Sequence, residues 1–139
     1  MNYLLDTCVL SEFTKRRPSP EVMDWVAAVE EERLFLSVLS LGEVKRGIER
    51  LPQSHRRNEL DTWLNSCLLA RFAGRLIGLD AEVMLLWGAL AARLESEGKT
   101  MPIVDSLIAA SALYNSLILV TRNEPDFIRA GTPLMNPWR

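Results

Sequence analysis

The feature that most constrains the fold is an alternation of short apolar segments with longer amphipathic segments along the chain. The apolar segments predict buried strands, and the amphipathic segments predict helices. The strands are expected at NYLL, LFLSV, RLIGL and LILV, and TPLMN is a candidate for a last edge strand. Strands that alternate with helices indicate a parallel sheet covered on both faces. We therefore expect an α/β fold with four or five mostly parallel strands.

Helices are expected in the intervening segments. Ser19-Pro20 suits the start of the first helix, whose apolar side carries Val22, Met23, Val26 and Val29. SLGEVKRGIERL and HRRNELDTWLNSCLLARF predict an αα-hairpin. Asp80 suits the start of AEVMLLWGALAARLESEG, which Gly98 ends, and MPIVDSLIAASALYN predicts a further helix. EPDFIRAG predicts a short turn or helix. The 139 residues contain no linker-like stretch, so one domain spanning residues 1–139 is expected.

Composition excludes several kinds of site. The only histidine is His55, and the two cysteines have no CxxC spacing, which excludes a zinc finger and a histidine metal cluster. Neither GxGxxG nor GxxxxGK[ST] is present. The net charge is −2, so any nucleic acid must bind through a local patch. No signal-peptide pattern and no apolar run of roughly 18 residues are found, so we expect a cytoplasmic protein with reduced thiols and no membrane contact.

Two carboxylates in apolar surroundings are the strongest functional signal. Asp6 directly follows the first strand, and Asp105 is the only acid in MPIVDSLIAASAL. A helix that is apolar nearly all round, as this segment is, is expected to be buried. Burying an unpaired carboxylate is costly, so Asp105 must be protonated, paired or metal-bound. Each acid also has a structural alternative. Asp105 would be an acid in the first turn of a helix, stabilised by the helix dipole or paired with an Arg. Asp6 would form a turn or cap a helix that begins near Cys8. Because sites in parallel sheets form beyond the carboxyl ends of the strands, we expect Asp6 and Asp105 to share a metal ion.

Further polar residues give weaker signals. Glu43 ends the capping-box pattern Ser40-Leu41-Gly42-Glu43, which would explain it structurally. Asn123 and Asp126 could extend an acidic site or simply form a turn. Oxygen ligands without His or Cys point to Mg²⁺ or Mn²⁺, which activates water and stabilises charge on a phosphoryl group.

Basic residues form three clusters. Each cluster is either an ordinary solvated face or part of a path for a phosphate backbone. On such a path an aromatic residue such as Trp63 would stack against a base. The clusters are Lys15-Arg16-Arg17, Lys45-Arg46 with Arg50, and Arg56-Arg57.

Four segments, in this order, resemble a PIN-domain ribonuclease of the VapC/FitB toxin type. They are LLDTCVLSE, LSVLSLGEVKRGIERL, IVDSLIAASALYNSLILVTRNEPDF and NPWR, and the resemblance covers essentially the whole chain. It implies that Asp6, Glu43 and Asp105 gather around Mg²⁺ or Mn²⁺, where a metal-activated water cleaves RNA. Asp6 and Asp105 would be direct ligands, and Glu43 a nearby or water-mediated one, which replaces its structural interpretation. Asn123 or Asp126 would complete the catalytic set.

The resemblance also implies partners and one departure from the family pattern. The partners are a small VapB- or FitA-like antitoxin whose tail blocks the site, a second copy of the chain in a homodimer and in larger antitoxin complexes, and RNA, with tRNA a frequent target. Operator DNA would be contacted only through the antitoxin. Thr7, Arg46 and Arg122 are predicted to contact nucleic acid. Cys8 stands where the family usually has Asn, and a thiol cannot reproduce the hydrogen bonds of the amide.

Two alternatives remain open from the residues. An aspartyl-phosphate phosphatase or a phosphoacceptor domain also begins with an apolar strand that ends in Asp. The phosphatase needs a second Asp at the position of Cys8, and the phosphoacceptor needs a Lys where the chain has Arg122. The other alternative is a PIN-fold regulatory or binding protein without nuclease activity.

Overall fold

The structure is a computed structural model that describes all 139 residues, Met1–Arg139. Five strands form one sheet in the order β3-β2-β1-β4-β5, and every neighbouring pair is parallel. The predicted α/β fold with a parallel sheet is confirmed. The strands are β1 (Tyr3–Leu5), β2 (Leu34–Ser37), β3 (Leu76–Ile77), β4 (Ile118–Val120) and β5 (Leu134–Met135). The helices are α1 (Thr7–Glu12), α2 (Pro20–Ala28), α3 (Val38–Glu49), α4 (His55–Thr62), α5 (Leu69–Arg71), α6 (Ala81–Ser96), α7 (Ile103–Tyr114) and α8 (Glu124–Phe127).

Helices cover both faces of the sheet, as the continuous apolar character of the strands requires. Successive strand residues point to opposite faces. Leu4 and Leu119 pack into the core beneath α6, α7 and α8, whereas Leu5 and Val120 pack into the core beneath α1 to α4. All four side chains are fully buried. The central strands are thereby held between two apolar layers, which makes their carboxyl ends a rigid support.

The strand order creates a crevice between β1 and β4. From β1 the chain builds outward through β2 and β3, and it then crosses back to place β4 on the other side of β1. The connections after β1 and β4 therefore leave toward opposite faces, which is the arrangement that opens a binding crevice at the carboxyl ends of the strands. Asp6 directly follows β1 and Thr121 directly follows β4, and the amide of Asp6 donates to the carbonyl of Val120 over 3.0 Å.

Several helix boundaries agree with the sequence. The side chains of Ser19 and Asp80 accept hydrogen bonds from the third residues of α2 and α6. Gly98 follows α6 with a left-handed φ of 67°, as expected for a helix-terminating glycine. EPDFIRAG forms the short helix α8 and a 3₁₀ turn, and TPLMN contributes the edge strand β5. Val29 lies just beyond α2 rather than within it.

The capping box predicted at Ser40 to Glu43 is wrong. Strand β2 ends at Ser37, whose hydroxyl oxygen accepts a 3.0 Å hydrogen bond from the amide of Leu39. Helix α3 therefore begins at Val38, three residues earlier than the capping pattern suggests. Glu43 consequently lies in the second turn of the helix, where it has no capping role.

Three further segments differ from the prediction. The helix expected at HRRNELDTWLNSCLLARF is divided by a π-helical turn at Trp63–Leu68, and the strand expected at RLIGL shortens to the two residues of β3. Helix α7 is not buried all round, because the Ile103 side chain in its first turn is 67% exposed. No helix combines the length and the apolar character needed to cross a membrane.

Candidate active site

Asp6 lies in the crevice, and hydrogen bonds hold both of its carboxylate oxygens. Oδ1 accepts from the amide of Thr7 over 2.8 Å and so caps α1, and Oδ2 accepts from the hydroxyl of Thr121 over 2.8 Å. Only 5% of the residue is exposed. Burial raises the pKa of Asp6, although the hydrogen bonds from Thr121 and Thr7 oppose this effect. The capping role considered for Asp6 is therefore real, but it occupies only one of the two oxygens.

Thr121 supports Asp6, a role that the sequence did not indicate although Thr121 directly follows the predicted strand LILV. It is fully buried, and its hydroxyl oxygen also accepts a 3.0 Å hydrogen bond from the amide of Asn123. Because a lone pair of that oxygen accepts from the Asn123 amide, the hydroxyl proton remains available to donate to Asp6. The sequence signal was the position of Thr121 directly after an apolar strand.

Glu43 reaches the same crevice from α3. Its Oε1 accepts a 2.6 Å hydrogen bond from the hydroxyl of Thr7, and the side chain is half-buried. Thr7, which was predicted to contact nucleic acid, thus donates its hydroxyl to Glu43. Arg46 lies one turn further along α3 and is exposed.

Asp105 enters from the first turn of α7, and no basic side chain forms a salt bridge with it. Burial raises its pKa to about 6, and the negative charges of Asp6, Glu43 and Asp126 add to this effect. The alternative of an Arg-paired acid therefore does not hold, although the position in the first turn does suit the helix dipole. Asp105 therefore lies near enough to Asp6, Glu43 and Asp126 for their charges to act on it.

The four acids come from four places in the chain and act on one another electrostatically. Asp126 in α8 contributes to this negative region, while the exposed Asn123 precedes α8 without capping it through its side chain. No three His, Cys, Asp or Glu side chains stand close enough together to hold one ion as they are placed. The fold thus brings the predicted acids to one crevice, but it does not draw their oxygens together. Mutual repulsion of like charges opposes closer approach.

Cys8 occupies the rim of this crevice. Its sulfur lies 3.7 Å from Oδ2 of Asp6 and 3.6 Å from the hydroxyl oxygen of Thr121, and it accepts a 3.5 Å contact from the amide of Arg122. Burial and the neighbouring Asp6 charge raise the pKa of the thiol. Cys8 is therefore a neutral thiol that can donate weakly to Asp6, and Thr121 provides the shorter hydrogen bond.

The carboxyl terminus completes the rim beside Arg122. The guanidinium of Arg122 lies 5.5 Å from the ring centroid of Trp138, at cation–π distance. Asn136 donates to Oε2 of Glu124 over 3.0 Å, and Arg139 forms an ion pair with the same carboxylate. The NPWR ending is thus fixed to the start of α8, which holds Trp138 next to Arg122.

Comparison with known proteins identifies the family of this fold and site. The model of the PIN domain family matches residues 3–132. The chain belongs to the PIN domain family. It is of the VapC/FitB type, because it is 32% identical to VapC ribonuclease Y4jK of Sinorhizobium fredii and 31% identical to toxin FitB of Neisseria gonorrhoeae. Each of these alignments covers 97% of this chain, and they cover 96% and 97% of the respective relatives. Plasmid stability protein StbB of Pseudomonas syringae pv. tomato is 36% identical over 97% of both chains.

Solved structures of related PIN-domain proteins share the whole fold. FitAcB from Neisseria gonorrhoeae has a TM-score of 0.93 at 31% identity and covers 99% of both chains. FitAB bound to an IR36 DNA fragment also has a TM-score of 0.93, at 29% identity, and covers 99% of this chain and 96% of that one. PIN-domain membership decides against the aspartyl-phosphate phosphatase and phosphoacceptor alternatives, which belong to other families.

Proposed function

We propose that this PIN-domain protein is a metal-dependent endoribonuclease and the toxin of a type II toxin–antitoxin module. The observation that carries the proposal is the concentration of unneutralised carboxylates around Asp105, whose pKa is raised to about 6. Related proteins are named ribonuclease and toxin, which supports the same activity here. The acids of such a site repel a polyanion unless a cation is bound, so close approach of an RNA phosphate to these carboxylates is expected to depend on the metal.

The residues present fit Mg²⁺ or Mn²⁺, because carboxylate oxygens are the ligands that these cations prefer. Asp6 and Asp105 would bind the cation directly, and Glu43 would bind it directly or through a water. Asp6 is held by its two hydrogen bonds and Glu43 by the Thr7 hydroxyl, so the oxygens would be gathered mainly by rotation of the Asp105 side chain. The cation would activate a water and stabilise negative charge on the phosphoryl group.

The remaining residues would orient the acids and the substrate. The Thr7 hydroxyl holds Glu43 toward the crevice, and the Thr121 hydroxyl holds Asp6. Asp126 contributes charge near Asp105, which favours it over Asn123 as the fourth acidic residue. The exposed guanidinium groups of Arg46 and Arg122 would contact substrate phosphates.

A groove beside Glu43 supports an antitoxin as the partner. It has a volume of about 180 Å³ and lies between α1, α3 and α4. Its apolar lining includes Leu10, Val44 and Trp63. A segment of a VapB- or FitA-like antitoxin would place apolar side chains in this groove and a basic side chain among the acids. A small open reading frame next to the gene for this chain would identify the candidate.

An exposed apolar face on α6 supports a homodimer. Leu85 is 76% exposed and Met84 is 38% exposed, and Gly88 and Ala89 are also exposed one turn further on. Small residues beside a large apolar side chain allow close packing of a second copy. Operator DNA would be bound through the antitoxin. A toxin acting on cellular RNA would work in the cytoplasm, where the two free cysteines stay reduced.

The proposal is tested with a total tRNA pool and the chain freed of any co-purifying partner. We expect cleavage with Mg²⁺ or Mn²⁺, loss of cleavage in EDTA and in Asp105→Asn, and retention in Asp24→Asn, which removes an exposed acid on α2. Mapping the cuts would identify the target. If no RNA is cut under any condition while the metal still binds, the alternative of a PIN-fold binding protein without nuclease activity replaces this proposal.

A further inference from the structure

We propose that a basic track formed by Lys15, Arg16, Arg17, Arg56 and Arg122 binds the phosphate backbone of the RNA strand that enters the active site. The inference rests on the proposed function, because it takes RNA to be the substrate. The Lys15-Arg16-Arg17 cluster has no role in the proposed acidic site or in the proposed antitoxin groove, and this inference gives it one.

The track begins at the rim of the active site. Helix α1 starts next to Asp6 and ends at Glu12. The loop that follows therefore lies about 9 Å from Asp6, a distance that two or three successive phosphates of a strand span. Burial raises the pKa of Glu12, but Lys15, the Ser19 amide and the charge of Arg122 together hold it below its usual range. Lys15 pairs with Glu12, and the charge of Arg122 also acts on Glu12, so Arg122 lies on the same side of α1 as Lys15. Positive charge thus extends from the rim of the site to the end of α1.

The loop is fixed by contacts at both of its ends. Glu12 is only 2% exposed, and it accepts a 2.8 Å hydrogen bond from the amide of Ser19 and pairs with Lys15. Arg56 of α4 donates to the carbonyl of Thr14. Because the backbone is already ordered, placing charges against a ligand costs less conformational entropy than it would in a free loop.

Two of the charges are free to bind an anion. Arg16 and Arg17 are exposed and form no salt bridge, whereas Lys15 pairs with Glu12 and Arg56 approaches Glu59 at 3.6 Å. In a chain whose net charge is −2, three consecutive basic residues are a local exception. Guanidinium groups match the geometry of phosphate oxygens, so Arg16 and Arg17 are expected to make the main contacts.

The chemistry of the surface favours RNA over a protein segment. The depression between Lys15, Arg16 and Arg56 is lined by no apolar side chain, whereas a protein partner usually needs apolar anchors. The apolar groove lined by Leu10 and Val44 is a separate surface. Trp138, held beside Arg122, offers an aromatic face on which a base can stack.

The test measures binding separately from cleavage. A fluorescently labelled single-stranded RNA of about twelve nucleotides is titrated with the Asp105→Asn chain in EDTA, so that binding does not depend on nuclease activity. At about 0.1 M salt, adding Arg16→Ala and Arg17→Ala is expected to weaken binding about tenfold or more, and to lower the slope of log K against log salt by about 1.4. Arg16→Lys with Arg17→Lys should retain most of the affinity. Arg33→Ala should retain nearly all of it, because Arg33 is an exposed residue that directly precedes β2 and so lies at the amino ends of the strands, away from the crevice.

The outcomes separate this inference from the proposed function. Unchanged RNA affinity and salt slope in the double alanine variant would overturn the inference, even if the unmodified chain cleaves RNA. Loss of affinity in that variant would support the inference, even if the unmodified chain proves unable to cleave. If the double variant binds RNA normally but loses affinity for the antitoxin, the surface contacts protein, and the inference is wrong.

Discussion

The hydroxyl of Thr121 donates a 2.8 Å hydrogen bond to Oδ2 of Asp6, which joins two residues that lie 115 positions apart in the chain. The contact forms because β1 and β4 are parallel neighbours whose carboxyl ends meet at the crevice. Asp6 therefore depends on the pairing of two strands for its orientation, and not only on the helix that it caps. A change at Thr121 should reach the metal site without removing any acid.

Replacing Thr121 with Ala should weaken Mn²⁺ binding and RNA cleavage. The variant loses the hydrogen bond that opposes the raised pKa of Asp6, so the carboxylate is both less ionised and less well oriented. Loss of such a supporting contact typically costs 10- to 100-fold in metal affinity. Thr121→Ser keeps the hydroxyl and should retain most of the affinity. Equal Mn²⁺ affinity for the unmodified chain and the alanine variant, measured by calorimetry, would show that Thr121 does not support the site.

Asp105→Asn should stabilise the metal-free chain at neutral pH. The pKa of Asp105 is raised from 3.8 to about 6 in the fold, so the folded state binds more protons than the unfolded state between these values. Ionisation of Asp105 consequently lowers the free energy of unfolding as the pH rises through this window, and the penalty persists above it. Because solvent screens a half-exposed group, ionised Asp105 is expected to lower the free energy of unfolding by only about 1 kcal/mol. In EDTA at about pH 7, we therefore expect the variant to melt roughly 3 °C above the unmodified chain.

The same melting experiment contains its own controls. Near pH 4 the carboxyl is largely protonated in the fold, so the variant and the unmodified chain should melt at nearly the same temperature. When Mn²⁺ is added at neutral pH, it should raise the melting temperature of the unmodified chain more than that of the variant. A lower melting temperature for the variant at neutral pH without metal would contradict the repulsion inferred around Asp105.

Gly47→Leu should weaken antitoxin binding. Gly47 lines the groove beside Glu43, and a Cβ added there meets no heavy atom within 4 Å, so a larger side chain would occupy the groove. We expect the dissociation constant of the complex to rise about tenfold or more, equivalent to about 1.4 kcal/mol. Gly47→Ala adds only a methyl group and should bind normally. If the leucine variant binds as tightly as the unmodified chain in surface plasmon resonance, the antitoxin does not occupy this groove.

The sheet, the order of the elements and the position of Asp6 and Asp105 could be predicted from the sequence. Apolar strands alternating with amphipathic helices define a parallel sheet, and the acids stand out because their neighbours are apolar. The long-range contacts could not be predicted. The link from Thr121 to Asp6 depends on which strands are neighbours, and neither residue indicates the other.

Local errors arose where two patterns competed. Ser37 and Ser40 both suit a helix start, and the choice of Ser37 depends on where β2 stops pairing with its neighbours. The π-helical turn at Trp63–Leu68 inserts into a segment that is helical by composition throughout. The exposed first turn of α7 was missed because exposure of apolar residues such as Ile103 depends on what the rest of the chain leaves uncovered.

The most direct test of the account is an Mn²⁺ titration of the purified chain, followed by electron paramagnetic resonance. The account predicts saturable binding that is lost in Asp6→Asn and Asp105→Asn, weakened in Glu43→Gln, and unchanged in Asp24→Asn. Asp126→Asn, compared with Asn123→Ala, would show which residue contributes the fourth oxygen. Equal Mn²⁺ binding by the unmodified chain, Asp6→Asn and Asp105→Asn would contradict the claim that these two carboxylates share a metal ion.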